Sequence, residues 1–160
     1  MKIIGDGGHA KVIKELLQQY EIGWFHYKDT VIAVGDNMAR KKEALANQDL
    51  RFPVLISKDA LVSKDAIIGA GTVIMAGAVV QPGARIGCHV IINTGATVDH
   101  DCVVEDYAHI APGAHLCGDV HIGEGTLVGV GVGIAPGCKI PAWSLVKARR
   151  LEIVPLQNHG

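Results

Sequence analysis

The chain has 160 residues, enough for one sizeable core or for one repeat array with a small appended module. Fifteen Lys and Arg against 16 Asp and Glu give a formal net charge of −1, and no long basic run suggests a nucleic-acid-binding surface. The first residues turn polar too early for a signal peptide, and no stretch approaches the roughly 20 apolar residues of a membrane-spanning helix. We therefore expect a cytoplasmic protein without membrane insertion or nucleic-acid binding.

Residues 1–52 predict a small, shortened Rossmann-like α/β domain. The expected elements are a strand from Lys2 to Gly5, a helix from His9 to about Tyr20, a strand through Trp24 and Phe25, a strand from Thr30 to Val34, and a charged helix from Met38 to Gln48. The first turn carries Gly7, Gly8 and His9 and fits the loose G-x-G-x-x-A pattern that brings backbone N–H groups to an anion. About 50 residues are too few for a full dinucleotide fold, so the turn favours a nucleotide-sugar diphosphate over NAD.

From residue 51 the sequence repeats every six residues without interruption, up to Val146. The sixth position of each hexad is aliphatic and the fourth is small, so both columns are expected to point inward. An α-helix cannot align residues six apart, whereas three short strands per coil repeat about every 18 residues. Residues 57–146 therefore predict a left-handed parallel β-helix, within a domain spanning 53–146. Glycine at the third position, replaced by His89 or Asp101 in some hexads, is typical of corners where φ is positive.

The four cysteines are expected to be reduced. They form no CxxC pair and no zinc-ribbon spacing, and a cytosolic location disfavours disulfides. Cys102 and Cys138 fall in the small inward column, two coils apart, and are interpreted as core residues. Cys88 and Cys117 fall at turns and are not assigned to a functional site.

The fifth position of each hexad points outward, and every third one falls on the same face of the triangular coil. The first face carries Leu55, Val73, Ile91, His109, Leu127 and Leu145; the second Leu61, Val79, Thr97, His115 and Gly133; the third Ile67, Arg85, Val103, His121 and Lys139. Two of these faces are too apolar for exposure to water, which is typical of an interface, and identical rigid prisms close readily as a ring. The pattern predicts a homotrimer.

Two histidines are candidate functional residues. His100 lies at a corner in Asp99-His100-Asp101, where a neighbouring carboxylate can fix its tautomer and raise its basicity, and a solvated turn histidine is the alternative. His109 is the odd residue of the most apolar face and is expected in or beside a groove between subunits, where a structural interface histidine is the alternative. Because the histidines at 100, 109, 115 and 121 diverge within one chain, a metal would need ligands from two subunits.

Four segments resemble the bacterial hexapeptide-repeat sugar acetyltransferases, the family of nucleotide-sugar N-acetyltransferases and sialic acid O-acetyltransferases. They are Gly7-Gly8-His9, Ala33-Val34-Gly35-Asp36-Asn37 with Arg40, Asp99-His100-Asp101-Cys102, and Tyr107-Ala108-His109-Ile110-Ala111-Pro112-Gly113. The resemblance covers nearly the whole chain. It implies direct transfer of an acetyl group from acetyl-CoA, without a metal, to an amino group of a UDP-linked amino-deoxy sugar, in polysaccharide biosynthesis.

The resemblance also implies residue roles. His100 would be the general base and Asp101 would polarise it; His109, at the thioester, with Gly118 and Val130 would contact acetyl-CoA; Gly7, Gly8 and His9 would hold the nucleotide sugar. Three other functions stay open: O-acetylation of a sialic acid or a related sugar, a trimeric metal-dependent enzyme like the β-helical carbonic anhydrases, and a non-catalytic scaffold. Residues 147–160 are expected to form a tail whose basic cluster either meets CoA phosphates or is solvated.

Overall fold

The computed structural model describes residues 1–20, 26 and 28–147. The predicted strand through Trp24 and Phe25, and the predicted tail beyond Lys147, lie outside these residues. Within them, no helix is long and apolar enough to cross a membrane.

The first four elements form an amino-terminal module. They are β1 (Lys2–Ile4), α1 (Gly8–Leu17), β2 (Thr30–Ile32) and α2 (Asn37–Ala46). The two strands pair in parallel, with Lys2 opposite Thr30, so α1 lies on the connection between parallel neighbours. Helix α2 begins one residue earlier than predicted because the Asp36 carboxylate accepts a hydrogen bond from the Ala39 backbone N–H at 2.8 Å, a typical N-cap.

The rest of the described chain is a parallel β-solenoid of two-residue strands. These are β3 (Leu55–Ile56), β4 (Leu61–Val62), β5 (Ile67–Ile68), β6 (Val73–Ile74), β7 (Val79–Val80), β8 (Arg85–Ile86), β9 (Ile91–Ile92), β10 (Thr97–Val98), β11 (Val103–Val104), β12 (His109–Ile110), β13 (His115–Leu116), β14 (His121–Ile122), β15 (Leu127–Val128), β16 (Gly133–Ile134), β17 (Lys139–Ile140) and β18 (Leu145–Val146). They build three parallel sheets, and each strand pairs with the strand one coil later.

The three sheets are the three faces predicted from the fifth positions. Face 1 contains β3, β6, β9, β12, β15 and β18; face 2 contains β4, β7, β10, β13 and β16; face 3 contains β5, β8, β11, β14 and β17. The register is that of the hexads, with Thr97 opposite His115 and His109 opposite Leu127. The prediction of a mainly β, parallel solenoid is thereby confirmed, and its strands make about five turns.

The two inward columns of the hexads form the core. Aliphatic residues of the sixth position, such as Ile74, Ile92 and Ile110, have no exposed surface, and Ala96 and Cys102 of the small column are equally buried. Burying each large aliphatic side chain contributes roughly 1.5–3 kcal/mol, so each added coil stabilises its neighbours. The four cysteines are free thiols.

Part of the apolar first face is covered by the chain itself. Leu55 and Val73, at 0% and 2% exposure, pack in one cluster with Ile13 and Leu16 of α1 and with Val31 of β2. The interpretation of this stretch of face 1 as a contact between subunits is therefore wrong. An outward apolar residue is buried equally well by a helix of its own chain and by a second subunit, and the repeat pattern cannot distinguish the two.

Candidate active site

His100 and Asp101 form a hydrogen-bonded pair at the corner between β10 and β11. Asp101 has a φ of 60°, as the sharp corner requires, and its Oδ2 lies 2.9 Å from His100 Nδ1. Because an ionised carboxylate only accepts, Nδ1 carries the hydrogen and Nε2 is left to take a proton. The hydrogen bond to Asp101, and then the charge of Asp99, raise the pKa of the exposed His100 imidazole. This ring is a stronger base than an isolated histidine.

Gly118 makes room for that ring. It lies one coil beyond His100 on the same corner, and a Cβ atom on Gly118 would come within 2.6 Å of His100 Cε1 and Nε2. Any side chain at this position would push the imidazole away. The pair borders an open groove of about 590 Å³, lined by Asp99, His100, Cys117, Gly118, Asp119, Pro136 and Gly137. His100, the predicted base, and Gly118, predicted to contact acetyl-CoA, therefore line the same groove.

Val130 lies elsewhere. It occupies the corner between faces 1 and 2, after β15, and is 63% exposed. In a single chain it does not line the groove beside His100, so its predicted contact with acetyl-CoA stays a prediction.

His109 lies at the junction between the amino-terminal module and face 1. Its Nε2 is 2.9 Å from Asn93 Nδ2, and its ring is also hydrogen-bonded to the Gly35 backbone. Since an amide nitrogen only donates, Nε2 accepts and His109 is neutral. Burial, followed by the charge of Arg40, lowers the pKa of His109 to about 4. The ring is therefore held by the amino-terminal module of its own chain, and the expectation that it stands in or beside a groove between subunits stays a prediction.

The predicted nucleotide-sugar residues begin helix α1. Gly7 is the N-cap without a side-chain hydrogen bond, and a Cβ on Gly7 or Gly8 would meet open space. Free N–H groups and the helix dipole favour an anion at such a helix end. His9 Nε2 is buried and has no hydrogen-bond partner among the described residues, and burial, followed by the Arg40 charge, lowers the pKa of His9 to about 4.

Sequence reasoning did not assign a role to Arg40, which holds this junction together. Its side chain, 1% exposed, donates from Nη1 to the Gly35 carbonyl at 3.0 Å and from Nη2 to the Tyr107 carbonyl at 2.7 Å. It therefore links the module to the solenoid. The one available signal was its place in the family-like segment after Asn37, since a charged helix otherwise predicts a solvated arginine.

The two candidate histidines lie on different sides of the prism. His100 occupies the corner between faces 2 and 3, whereas His109 projects from face 1, opposite that corner. His115 pairs with Thr97 on face 2, and His121 with Glu105 beside face 3. The predicted divergence of the four histidines within one chain is confirmed. Among the described residues, no group of three or more His, Cys, Asp or Glu side chains is placed to hold a metal ion.

Comparison with known proteins identifies the class. No protein-family model matches the sequence, and no curated protein does. Among solved structures, the acetyltransferase domain of PglB from Neisseria gonorrhoeae is 36% identical with a TM-score of 0.83, covering 90% of this chain and 86% of that one. The same domain has been solved with acetyl-CoA bound. GDP-perosamine N-acetyltransferase from Caulobacter crescentus, solved with CoA and GDP-perosamine, is 30% identical with a TM-score of 0.84, covering 90% and 83%.

The β-solenoid, its basic corner and these similarities define an acetyl-CoA-dependent acyltransferase. The predicted class of enzyme and its co-substrate are confirmed. More specifically, the chain belongs to the hexapeptide-repeat sugar acetyltransferases.

Proposed function

We propose that this chain transfers the acetyl group of acetyl-CoA to an amino group of an amino-deoxy sugar that is linked to a nucleoside diphosphate. The observation that carries the proposal is the His100 and Asp101 pair beside the groove. The N-acetyltransferase activity stated for the perosamine enzyme supports N-acetylation over the O-acetylation alternative. The expected nucleotide is UDP, and the GDP-linked sugar bound by that enzyme makes GDP the second candidate.

The proposed reaction is a direct transfer. The neutral amine attacks the thioester carbonyl carbon, and His100 Nε2 takes the proton that the nitrogen loses as the new C–N bond forms. The C–S bond then breaks, and the leaving CoA sulfur takes up a proton, giving the amide and the free thiol. Asp101 keeps the His100 proton on Nδ1 and stabilises the charged imidazolium. A positioned base of this kind contributes roughly 10²–10⁴-fold in rate.

The acceptor is proposed to bind at the beginning of α1. The open N–H groups of Gly7 and Gly8 suit a diphosphate, and His9 and His109 present neutral imidazoles close by. On this proposal, residues 1–52 are a shortened Rossmann-like acceptor domain, residues 53–146 a left-handed β-helix that binds acetyl-CoA, and residues 147–160 a tail.

The complete site is proposed to form between chains of a cytoplasmic homotrimer. One chain places His100 on the corner opposite the face that carries His109, so the base of one subunit must serve the acceptor junction of another. The two faces that meet at this edge of the prism present Leu61 and Ile67, two coils before His100, and these side chains are 70% and 61% exposed. Exposed apolar side chains on both faces suit a contact between copies.

The test is acetyl-CoA-dependent thiol release on a panel of UDP- and GDP-linked 4-amino sugars and free sialic acids. In His100→Ala the turnover of the accepted sugar should fall by at least about 10²-fold, while acetyl-CoA still binds. His115→Ala is the matched control, because His115 is another exposed, hydrogen-bonded histidine in the next coil. Equal losses in both variants, or full activity in His100→Ala, would contradict a histidine base. Turnover on sialic acids alone would establish O-acetylation instead.

A further inference from the structure

Arg40 is a buried cation with no carboxylate among its hydrogen-bond acceptors. Its guanidinium meets six partners: the carbonyls of Val34, Gly35, His89, Tyr107 and Ala108, and Oδ1 of Asn37. Asp36 acts on it through charge only. Burial of an uncompensated charge is costly, since even the six oxygens neutralise it only partly. Such a group is expected to have a role that a neutral side chain could not fill.

All five N–H groups of Arg40 are used by these partners. Nε donates to His89 O at 2.8 Å, Nη1 to two carbonyls of the amino-terminal module, and Nη2 to Asn37 and to the corner carbonyls at Tyr107 and Ala108. No donor remains for a ligand. Arg40 therefore acts on the site through the position and the protonation of its neighbours.

The charge of Arg40 acts on three imidazoles. The Arg40 charge is the second cause, after burial, of the lowered pKa of His9, of His89 and of His109. Two of these rings, His9 and His109, also interact with each other at the proposed acceptor site. A Cβ on Gly35 would lie 3.8 Å from His9 Cβ, so the loop that Arg40 holds lies beside the His9 side chain.

We propose that Arg40 is a positioning residue for acetyl transfer: it binds the Tyr107 and Ala108 carbonyls directly before His109, and it holds against the solenoid the Gly35 loop that is hydrogen-bonded to the His109 ring. Its buried charge adds to the burial that keeps the His9 and His109 imidazoles neutral. The proposal rests on the proposed function in one respect, that the junction receives the acceptor. A neutral imidazole both donates and accepts hydrogen bonds, so it can recognise a sugar hydroxyl or an uncharged amine. Two protonated rings would only donate, and would repel any acceptor that still carries an ammonium group.

Charged and titratable groups of several elements act on one another around this junction. Helix α1 supplies His9, and the loop after β2 and helix α2 supply Asp36, which acts on Arg40. The corner of the solenoid supplies His89, on which Asp106 acts, and β12 supplies His109. Arg40 is the cation that acts on all three imidazoles, so removing its charge should be felt by the pair at the junction.

The experiment is an NMR titration of the histidine side chains in the full chain without substrates, combined with steady-state kinetics. In Arg40→Met the pKa of His9 and of His109 should rise by about half a unit or more, at least about threefold in proton affinity. Because both pKa values would still lie well below 6, the rings stay neutral at pH 6 to 8, so the acceptor KM should rise to a similar extent at both pH values through the lost hydrogen bonds of Arg40, with the acetyl-CoA KM unchanged. Arg40→Lys keeps the charge and should keep both rings neutral. Because the lysine ammonium cannot replace the five N–H donors of the planar guanidinium, the acceptor KM should still rise at every pH.

Asn37→Asp tests the charge without removing Arg40. Asn37 Oδ1 accepts from Arg40 Nη2 at 2.8 Å, so a carboxylate there would pair with the guanidinium. Both imidazole pKa values should then rise, as in Arg40→Met, even if Arg40→Met does not fold. Lys41→Met is the matched control, because it removes one cation and the 2.6 Å contact with Glu124 from the same helix. It should leave both rings unchanged.

Unchanged imidazole pKa values in Asn37→Asp and in a folded Arg40→Met would overturn the proposal, as would equal shifts in Lys41→Met. Because the titration needs no substrate, shifted values in an enzyme that turns over no amino sugar would refute the acceptor and leave the action of Arg40 on the imidazoles established. Turnover of an amino sugar, together with unchanged imidazole pKa values in the Arg40 and Asn37 variants, would support the proposed acceptor and refute the action of Arg40 on the imidazoles.

Discussion

Replacing Gly118 by alanine is expected to disable His100 without unfolding the protein. The new Cβ would come within 2.6 Å of the His100 ring, about 1 Å closer than carbon atoms in ordinary contact. The ring is the exposed end of its side chain and can swing away, so the free energy of unfolding should change by no more than about 0.5 kcal/mol. A displacement of about 1 Å of a catalytic group costs on the order of 10²-fold in kcat.

The assay is thiol release with kcat and the acetyl-CoA KM determined separately, beside thermal unfolding. Gly133→Ala is the control, because Gly133 also lacks a positive φ and its Cβ would meet nothing within 4 Å. This control should keep its kcat. A folded Gly118→Ala enzyme with undiminished kcat would refute the idea that the observed position of His100 is the catalytic one. A raised acetyl-CoA KM alone would make Gly118 a groove residue only.

Four further outcomes are expected. Asp101→Asn removes the largest cause of the raised pKa of His100, so kcat should fall and the acidic limb of the kcat/KM pH profile should move to lower pH; an unmoved limb would count against the pair. Ile92→Ala, at a fully buried position, should cost about 2–5 kcal/mol in denaturant unfolding, and a loss below 1 kcal/mol would contradict a tightly packed core. Leu61→Asp should lower the mass measured by analytical ultracentrifugation, and a persisting trimer would exclude this corner from the interface. The pKa of His109 is about 4 in the folded protein and about 6.5 in the unfolded chain, so on acidification the unfolded chain binds the proton first. The free energy of unfolding should therefore fall between about pH 6.5 and 4, by at most about 3 kcal/mol from this group. In His109→Gln the melting temperature should depend less steeply on pH in this range.

The solenoid could be predicted from the sequence because its determinants are local. The side chains of each hexad alternate inward and outward within a few residues, so Ile92 in the core and His115 on an outer face follow from counting alone. The corner at His100 follows from the same count. The hydrogen bond with Asp101 required only that neighbouring residues share one turn.

The junction could not be predicted in this way. Face 1 looked like a subunit interface because Leu55 and Val73 are apolar, and the pattern holds no information on what covers them. His109 is likewise hydrogen-bonded to the Gly35 backbone of its own chain, a contact on which the repeat pattern holds no information. Arg40 was missed as a buried residue for a related reason: three of the five carbonyls that accept its hydrogen bonds come from corners 49 to 68 residues away.

The junction also limits how the length of this protein can vary. Arg40 and Asn37 bind carbonyls at His89, Tyr107 and Gly125, which are the same corner position of three consecutive coils. An inserted or deleted coil of 18 residues within this span would shift one half of the contacts by a strand spacing of about 4.8 Å and break them. Within the described residues, the coil after Gly125 makes no hydrogen bond with Arg40 or Asn37, but its Trp143 ring lies 5.1 Å from Lys41 Nζ of the same helix. An added coil should therefore be tolerated after β18 and should disrupt the junction when it is placed between His89 and Trp143.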